Sequence, residues 1–175
     1  RIEVKVRPRT LQGLDERRYI ADRCLIDAAI KRNMPLLGIC RGMQMICETT
    51  GGKLSDRFLD EIDTGGVLHR QKSSGDSPTH IINLEKGSQL EKILSVSEIK
   101  VNSFHHQFCI KPGKNFKVSA WAKNNIMEAI ESPVYRFVLG LQFHPERCYV
   151  DYPIFVKIFK AFLEKSREYQ NSKKS

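Results

Sequence analysis

Apolar positions in the first third of the chain repeat with a helical period. Between Asp15 and Asn33, Ile20, Cys24, Leu25, Ala28 and Ala29 fall at helical spacing with Arg and Asp residues between them. This predicts an amphipathic helix, ended by Asn33 and Pro35. Pro35 to Ile39 is a short unbroken apolar run, the pattern of a buried parallel strand. Arg41 to Thr50 returns to helical spacing, with Met43, Ile46 and Cys47 on one face and Gly51-Gly52 as the stop. Helix, buried strand, sharp turn and helix make half of a doubly wound α/β pattern.

The period is lost between Ser55 and Thr79, where Gly, Ser, Asp and His accumulate; this stretch reads as loop with short strands. His80 to Leu84 alternates, Gln89 to Leu94 has the spacing of a short helix, and Ile99 to Asn102 is strand-like. Phe116–Trp121 and Ile126–Glu131 read as a hairpin across Asn124-Asn125. Val134 to Phe143 is a further strand, and Tyr152 to Glu168 is an amphipathic helix with Phe155, Ile158, Phe159 and Phe162 inward. There is no internal repeat, and 175 residues fit a single domain, 1–175.

With 41% apolar and 28% charged residues, the chain has the balance of a soluble globular protein. No apolar run approaches the roughly 20 residues of a membrane span, so no membrane partner is expected. The first ten residues alternate apolar and basic positions without the apolar stretch of a signal peptide. They also lack an initiating methionine, and the native chain is expected to begin earlier. The net charge of +9 raises nucleic acid as a partner. The excess is scattered, part of it in a tail from Lys165 to Ser175 that reads as solvated or frayed, and no aromatic–basic stripe accompanies it. No nucleic-acid partner is expected. The cysteines (Cys24, Cys40, Cys47, Cys109 and Cys148) are odd in number and form no CxxC pair. That argues against a disulfide framework and a zinc site, and for a reducing cytoplasm.

The most informative segment is Leu37-Gly38-Ile39-Cys40-Arg41-Gly42-Met43-Gln44. A small residue two before and two after a potential nucleophile, between a strand and a helix, is a nucleophile-elbow pattern. Side chains at Gly38 and Gly42 are expected to collide in so tight a turn. The reward is a sulfur at a helix N-terminus, where unpaired N–H groups favour a thiolate. The N–H of Arg41 then points where an oxyanion forms. A buried structural Cys at an ordinary junction is the plainer alternative.

Leu139 to Glu146 supplies the counterpart: His144 and Glu146 follow a predicted strand, linked by Pro145. A thiol needs a base, and the base needs a partner that holds its tautomer. A satisfied structural His144 and a capping Glu146 are the alternative, but that account leaves their co-occurrence with the elbow unexplained.

These residues resemble the class I glutamine amidotransferase superfamily, and within it the γ-glutamyl hydrolase branch that includes γ-glutamyl-γ-aminobutyrate hydrolase. The resemblance rests on Pro35 to Gln44, Val101-Asn102-Ser103-Phe104-His105-His106-Gln107, and Leu139 to Glu146. It implies a flavodoxin-like three-layer α/β fold, with Cys40 as nucleophile, His144 as base and Glu146 as orienting acid. It further implies that Gln44, Ser103, His105, His106 and Gln107 line a pocket for a small γ-glutamyl substrate, with no metal or organic cofactor. For His105 and His106, hydrogen bonding to the backbone is an equal alternative; His69 and His80 read as structural. The cysteines other than Cys40 read as core or surface.

Members of the family carry strand–helix units before the elbow, including a glycine pair that donates the second oxyanion N–H. Here only Gly13 precedes Gly38. A missing N-terminal segment is therefore expected to complete the sheet, and residues 1–175 alone are expected to be poorly active, since one lost oxyanion donor costs about 10²–10³ in rate. The alternatives are a glutaminase subunit feeding ammonia to a synthetase partner, a γ-glutamyl-nucleotide amidate hydrolase of a polysaccharide pathway, and a non-catalytic module on an amidase fold. The leaving amine is not readable, and a homo-oligomer is left open.

Overall fold

The computed structural model describes residues 10–67, 69–123 and 125–173. In chain order the elements are α1 (Leu11–Leu14), α2 (Glu16–Lys31), β1 (Leu36–Ile39), α3 (Arg41–Thr49), β2 (Lys53–Leu54), β3 (His80–Leu84), α4 (Gln89–Leu94), β4 (Glu98–Val101), β5 (Cys109–Lys111), β6 (Lys117–Ala122), β7 (Met127–Glu131), β8 (Val138–Leu141) and α5 (Val156–Asn171). Six strands form one sheet in the order β1-β8-β7-β6-β3-β4, and β2 pairs with β5 in a separate ribbon.

Helix α2 starts where Asp15 accepts a hydrogen bond from the Arg18 N–H at 3.1 Å, an N-cap followed by an acidic first-turn residue, Glu16. Every residue of β7 and β8 is buried, as a strand covered on both faces requires. Alternate residues of β8 serve different cores. Val138 packs with Met43, Ile46, Tyr19 and Ile26 of α2 and α3, whereas Leu139 and Leu141 pack with Leu90, Leu94, Phe155 and Ile158 on the other face. The result is the three-layer α/β sandwich that the family resemblance implies.

Its sheet is mixed. Among the described residues only β1 and β8 run parallel, and the remaining pairs are antiparallel. From β6 to β8 the strands are joined by short turns that reverse direction, and the six-residue α4 between β3 and β4 is too short to carry the chain across the sheet for a parallel return. The 55–79 stretch contains a 3-10 turn at Leu59–Glu61 and a bridge between Arg70 and Phe104, in place of the short strands expected there. Strand β5 carries no alternating signal and was not anticipated. The hairpin β6–β7 forms where expected; Asn125 has φ 63°, while Asn124 lies outside the described residues. The basic tail is solvated at its end, with residues 170–173 exposed, but the expected fraying is corrected. Helix α5 continues to Asn171, with Lys165 Nζ 2.8 Å from Glu168 Oε1 one turn on. Among the described residues, no helix is long and apolar enough to cross a membrane.

Candidate active site

Strand β1 ends at Ile39 and α3 begins at Arg41, so Cys40 alone makes the turn. It has φ 51° and ψ −105°, a conformation that residues with a Cβ seldom adopt. Two backbone hydrogen bonds hold it: its N–H donates to the Leu141 carbonyl at 2.7 Å, and its carbonyl accepts from the Gln44 N–H at 3.2 Å. A Cβ on Gly38 would lie 2.6 Å from Ile46 Cδ1 and 2.7 and 2.8 Å from the Gly42 carbonyl carbon and oxygen, so this approach requires glycine. At Gly42 an added Cβ meets nothing within 4 Å. The expected collision at both positions is thus confined to Gly38, because the crowding is between Gly38 and the Gly42 backbone.

Residues Gly38 and Ile39 pair in register with Gly140 and Leu141. Cys40 and His144 therefore leave the carboxyl ends of neighbouring parallel strands, where open α/β sheets place their ligand crevices. Pro145 opens a 3-10 turn that carries Glu146 back toward the imidazole, and His144 Nδ1 lies 2.6 Å from Glu146 Oε1. Nε2 is then the ring nitrogen left for the sulfur. Burial alone would lower the His144 pKa, but hydrogen bonds with Cys40 and Glu146 outweigh it and push it up to about 9. A thiol beside a helix N-terminus, paired with an imidazole that a carboxylate orients, has the parts of a nucleophile–base couple.

The crevice beside Cys40 is lined by Arg41, Gln44, Phe104, His105, His106 and Gln107. Leu11 and Leu14 of α1 border the same space. Gln44 is buried; its Nε2 donates to the Gln107 carbonyl at 2.8 Å and to Gln142 Oε1 at 3.1 Å. His106 is half-buried and stands edge-on to Phe58 with ring centroids 6.3 Å apart. Ser103 is fully buried and is not among the crevice-lining residues; its Oγ donates to the His69 carbonyl at 2.7 Å, and its N–H donates to Gln71 Oε1 at 2.8 Å. Arg41 Nε pairs with Asp22 at 3.2 Å, while its Nη2 is buried without a hydrogen-bond partner.

Two residues with a place in this site were not singled out by sequence. Gln142 is fully buried, and its Nε2 lies 3.7 Å from Cys40 Sγ. Asn102 grips the backbone of His144: its Oδ1 accepts from the His144 N–H at 2.8 Å, and its Nδ2 donates to the His144 carbonyl at 3.0 Å. Both residues lie inside segments that carry the family resemblance, Val101 to Gln107 and Leu139 to Glu146, and that was the available signal. His69, His80 and His105, widely separated in sequence, converge on the buried Glu128.

Residues 5–146 match the family described as Peptidase C26. Over 155 residues the chain is 29% identical to a γ-glutamyl-γ-aminobutyrate hydrolase of Escherichia coli O157:H7, covering 85% of this chain and 60% of that protein. The chain thus spans about three fifths of the length of that curated relative. The fold is shared with a glutamine amidotransferase from Thermotoga maritima (TM-score 0.58, 18% identity, 93% of this chain and 62% of that one). It is also shared with the glutaminase domain of Trypanosoma brucei CTPS solved with bound acivicin (TM-score 0.64, 17% identity, 86% of this chain and 66% of that one). With a match that runs through both the elbow and the His-Pro-Glu segment, the chain belongs to the Peptidase C26 family.

Proposed function

We propose that the protein is a cysteine-dependent hydrolase that cleaves the γ-glutamyl amide bond of a small γ-glutamyl compound. The observation that carries this reading is the convergence of Cys40, strained at the end of β1, with a His144 whose Nδ1 is 2.6 Å from Glu146. The Cys40 thiolate attacks the γ-carbonyl carbon, and negative charge gathers on the carbonyl oxygen near the Arg41 N–H at the start of α3. As the C–N bond breaks, protonated His144 donates its Nε2 proton to the departing amine, leaving a γ-glutamyl thioester. Neutral His144 then takes a proton from water, the hydroxide adds to the thioester carbon, and the C–S bond breaks to release glutamate and thiolate.

Gln44, His106 and Gln107 form the substrate-facing wall, with His105 behind it. The relative named γ-glutamyl-γ-aminobutyrate hydrolase supports this substrate class. The fold shared with a glutaminase domain supports a second reading, in which the same chemistry acts on glutamine and passes ammonia to a synthetase partner.

The test is glutamate release from γ-glutamyl-γ-aminobutyrate and from glutamine, with and without Cys40→Ala. Preference for the former, abolished in the variant, supports the hydrolase. Turnover of glutamine alone, or only with an added partner, moves the assignment to an amidotransferase subunit. Activity retained in Cys40→Ala removes both.

A further inference from the structure

On the far side of His105 from the crevice, four side chains from separate segments meet in the interior. Glu128 lies on β7 and His80 opens β3; His69 and His105 come from the loops before β3 and after β4. Glu128 Oε1 is 3.1 Å from His69 Nδ1, 3.2 Å from His80 Nε2 and 3.6 Å from His105 Nε2. The four side chains are 0 to 6% exposed.

A carboxylate taken out of water costs several kcal/mol unless positive charge or aligned donors replace the hydration. Here the alignment is poor. Among these contacts only His80 Nε2 makes a directional hydrogen bond to Oε1. Both nitrogens of His69, Nδ1 of His80, Nε2 of His105 and Oε2 of Glu128 are buried with no hydrogen-bond partner. Among the described residues the other buried side-chain atoms without a partner, on Arg41, Thr49, Gln89 and Ser119, are single atoms on separate residues, so five around one point stand out.

The tautomer of His105 sharpens the problem. Its Nδ1 is 2.9 Å from the Gln107 carbonyl, so that nitrogen carries the proton. In the neutral ring Nε2 is then a lone pair facing the acceptor Oε1, an arrangement that asks for positive charge beside it. A nitrogen of His69, a nitrogen of His80 and an oxygen of Glu128 lie within 4.8 Å of one another, close enough for small shifts to bring them to a tetrahedral ion ~2.0 Å from each.

We propose that His69, His80 and Glu128 form a buried structural site for a divalent transition metal ion of the zinc class. Two imidazole nitrogens and a carboxylate oxygen suit zinc, cobalt or nickel better than magnesium or calcium. The three side chains are buried and none lines the crevice beside Cys40, so the ion is structural. Access is from the cavity that His69 and His105 border together with Leu59, Ile62 and Val67. The ion would tie the loop that bears His69 to β3 and β7, next to His105, whose Nδ1 rests on the same Gln107 carbonyl as Gln44.

The test uses the whole protein with Cys40→Ala, so that the thiol cannot hold the metal, and reads binding without any activity assay. After equilibration with Zn²⁺ and removal of excess, about one ion per chain is expected, along with a raised thermal midpoint. Co²⁺ in its place should give the visible absorption of a four-coordinate centre with nitrogen and oxygen ligands. Glu128→Gln and His69→Ala should lose the ion and the thermal shift. Folded protein that retains no metal and shows no thermal shift with Zn²⁺ or Co²⁺ overturns the proposal. So does metal retained at full stoichiometry in both variants, or a nitrogen NMR spectrum showing His69 or His80 as a cation in the presence of Zn²⁺.

Discussion

Asn102 holds the backbone of His144 on both sides of its Cα, accepting from its N–H and donating to its carbonyl. The same Nδ2 donates to the Gly75 carbonyl at 2.7 Å, so a single buried amide locks β4, the 75 loop and the segment after β8 together. The imidazole is thereby positioned from its own backbone as well as through Glu146.

Asn102→Ala should lower kcat by up to about 10²-fold, because a shift of the order of 1 Å in a catalytic group has that effect. KM should change little, since Asn102 does not line the crevice. The buried carbonyls and N–H left behind should also destabilise the fold by about 2–4 kcal/mol. Steady-state kinetics and urea unfolding on one preparation check both parts; a rise in KM at constant kcat would contradict the positioning role.

The glycines of the elbow should respond in opposite ways. Gly38→Ala forces a Cβ into the Gly42 backbone and Ile46 and should cost at least about 2 kcal/mol. Gly42→Ala enters open space on a helix and should be neutral or stabilising by up to about 1 kcal/mol. Thermal midpoints of the two variants against the parent decide this.

Backbone strain at the nucleophile makes a further expectation. Positive φ at Cys40 is relieved by glycine but not by alanine, so Cys40→Gly should be more stable than Cys40→Ala by about 1 kcal/mol, with both inactive. Equal stabilities by denaturant unfolding would mean that the conformation is held without strain.

The pH dependence follows from His144. Its folded pKa of about 9 lies above the ordinary histidine value, so the charged imidazole stabilises the fold fully below about pH 6.5, and that contribution is lost as pH rises through about 9. Turnover should fall on the same alkaline limb, as the acid that protonates the amine disappears. Glu146→Gln removes one of the groups that raise the pKa and should move the limb downward. Rate profiles between pH 6 and 10 measure it, and an alkaline limb unmoved by Glu146→Gln would exclude Glu146 as a cause.

Local pattern carried the parts of the site that are local. The buried run before Cys40, the glycines around it and the short reach from His144 to Glu146 are contiguous chemistry, and each stands where the residues imply. What escaped depends on pairing between distant segments. Asn102 reaches His144 across 42 positions and Gln142 reaches Cys40 across 102, so neither contact has a trace in local periodicity. His69 and His80 are single polar residues among loop and strand positions, and their convergence on Glu128 exists only once β3 and β7 lie in one sheet. The apolar run read as a parallel strand does pair in parallel, β1 with β8, and β6 and β7 form the expected hairpin, but the antiparallel pairing of β3 with β4 and β6 across the sheet has no local signature.

Strand β1 lies at the end of the sheet order, and among the described residues its only strand neighbour is β8. The row of N–H and C=O groups on its other side is a template for a further strand, and Cys40 is the next residue along. The free edge of the sheet and the turn that aims the sulfur are therefore one continuous stretch of backbone, anchored on its inner side alone by the β8 carbonyls that receive the Ile39 and Cys40 segment.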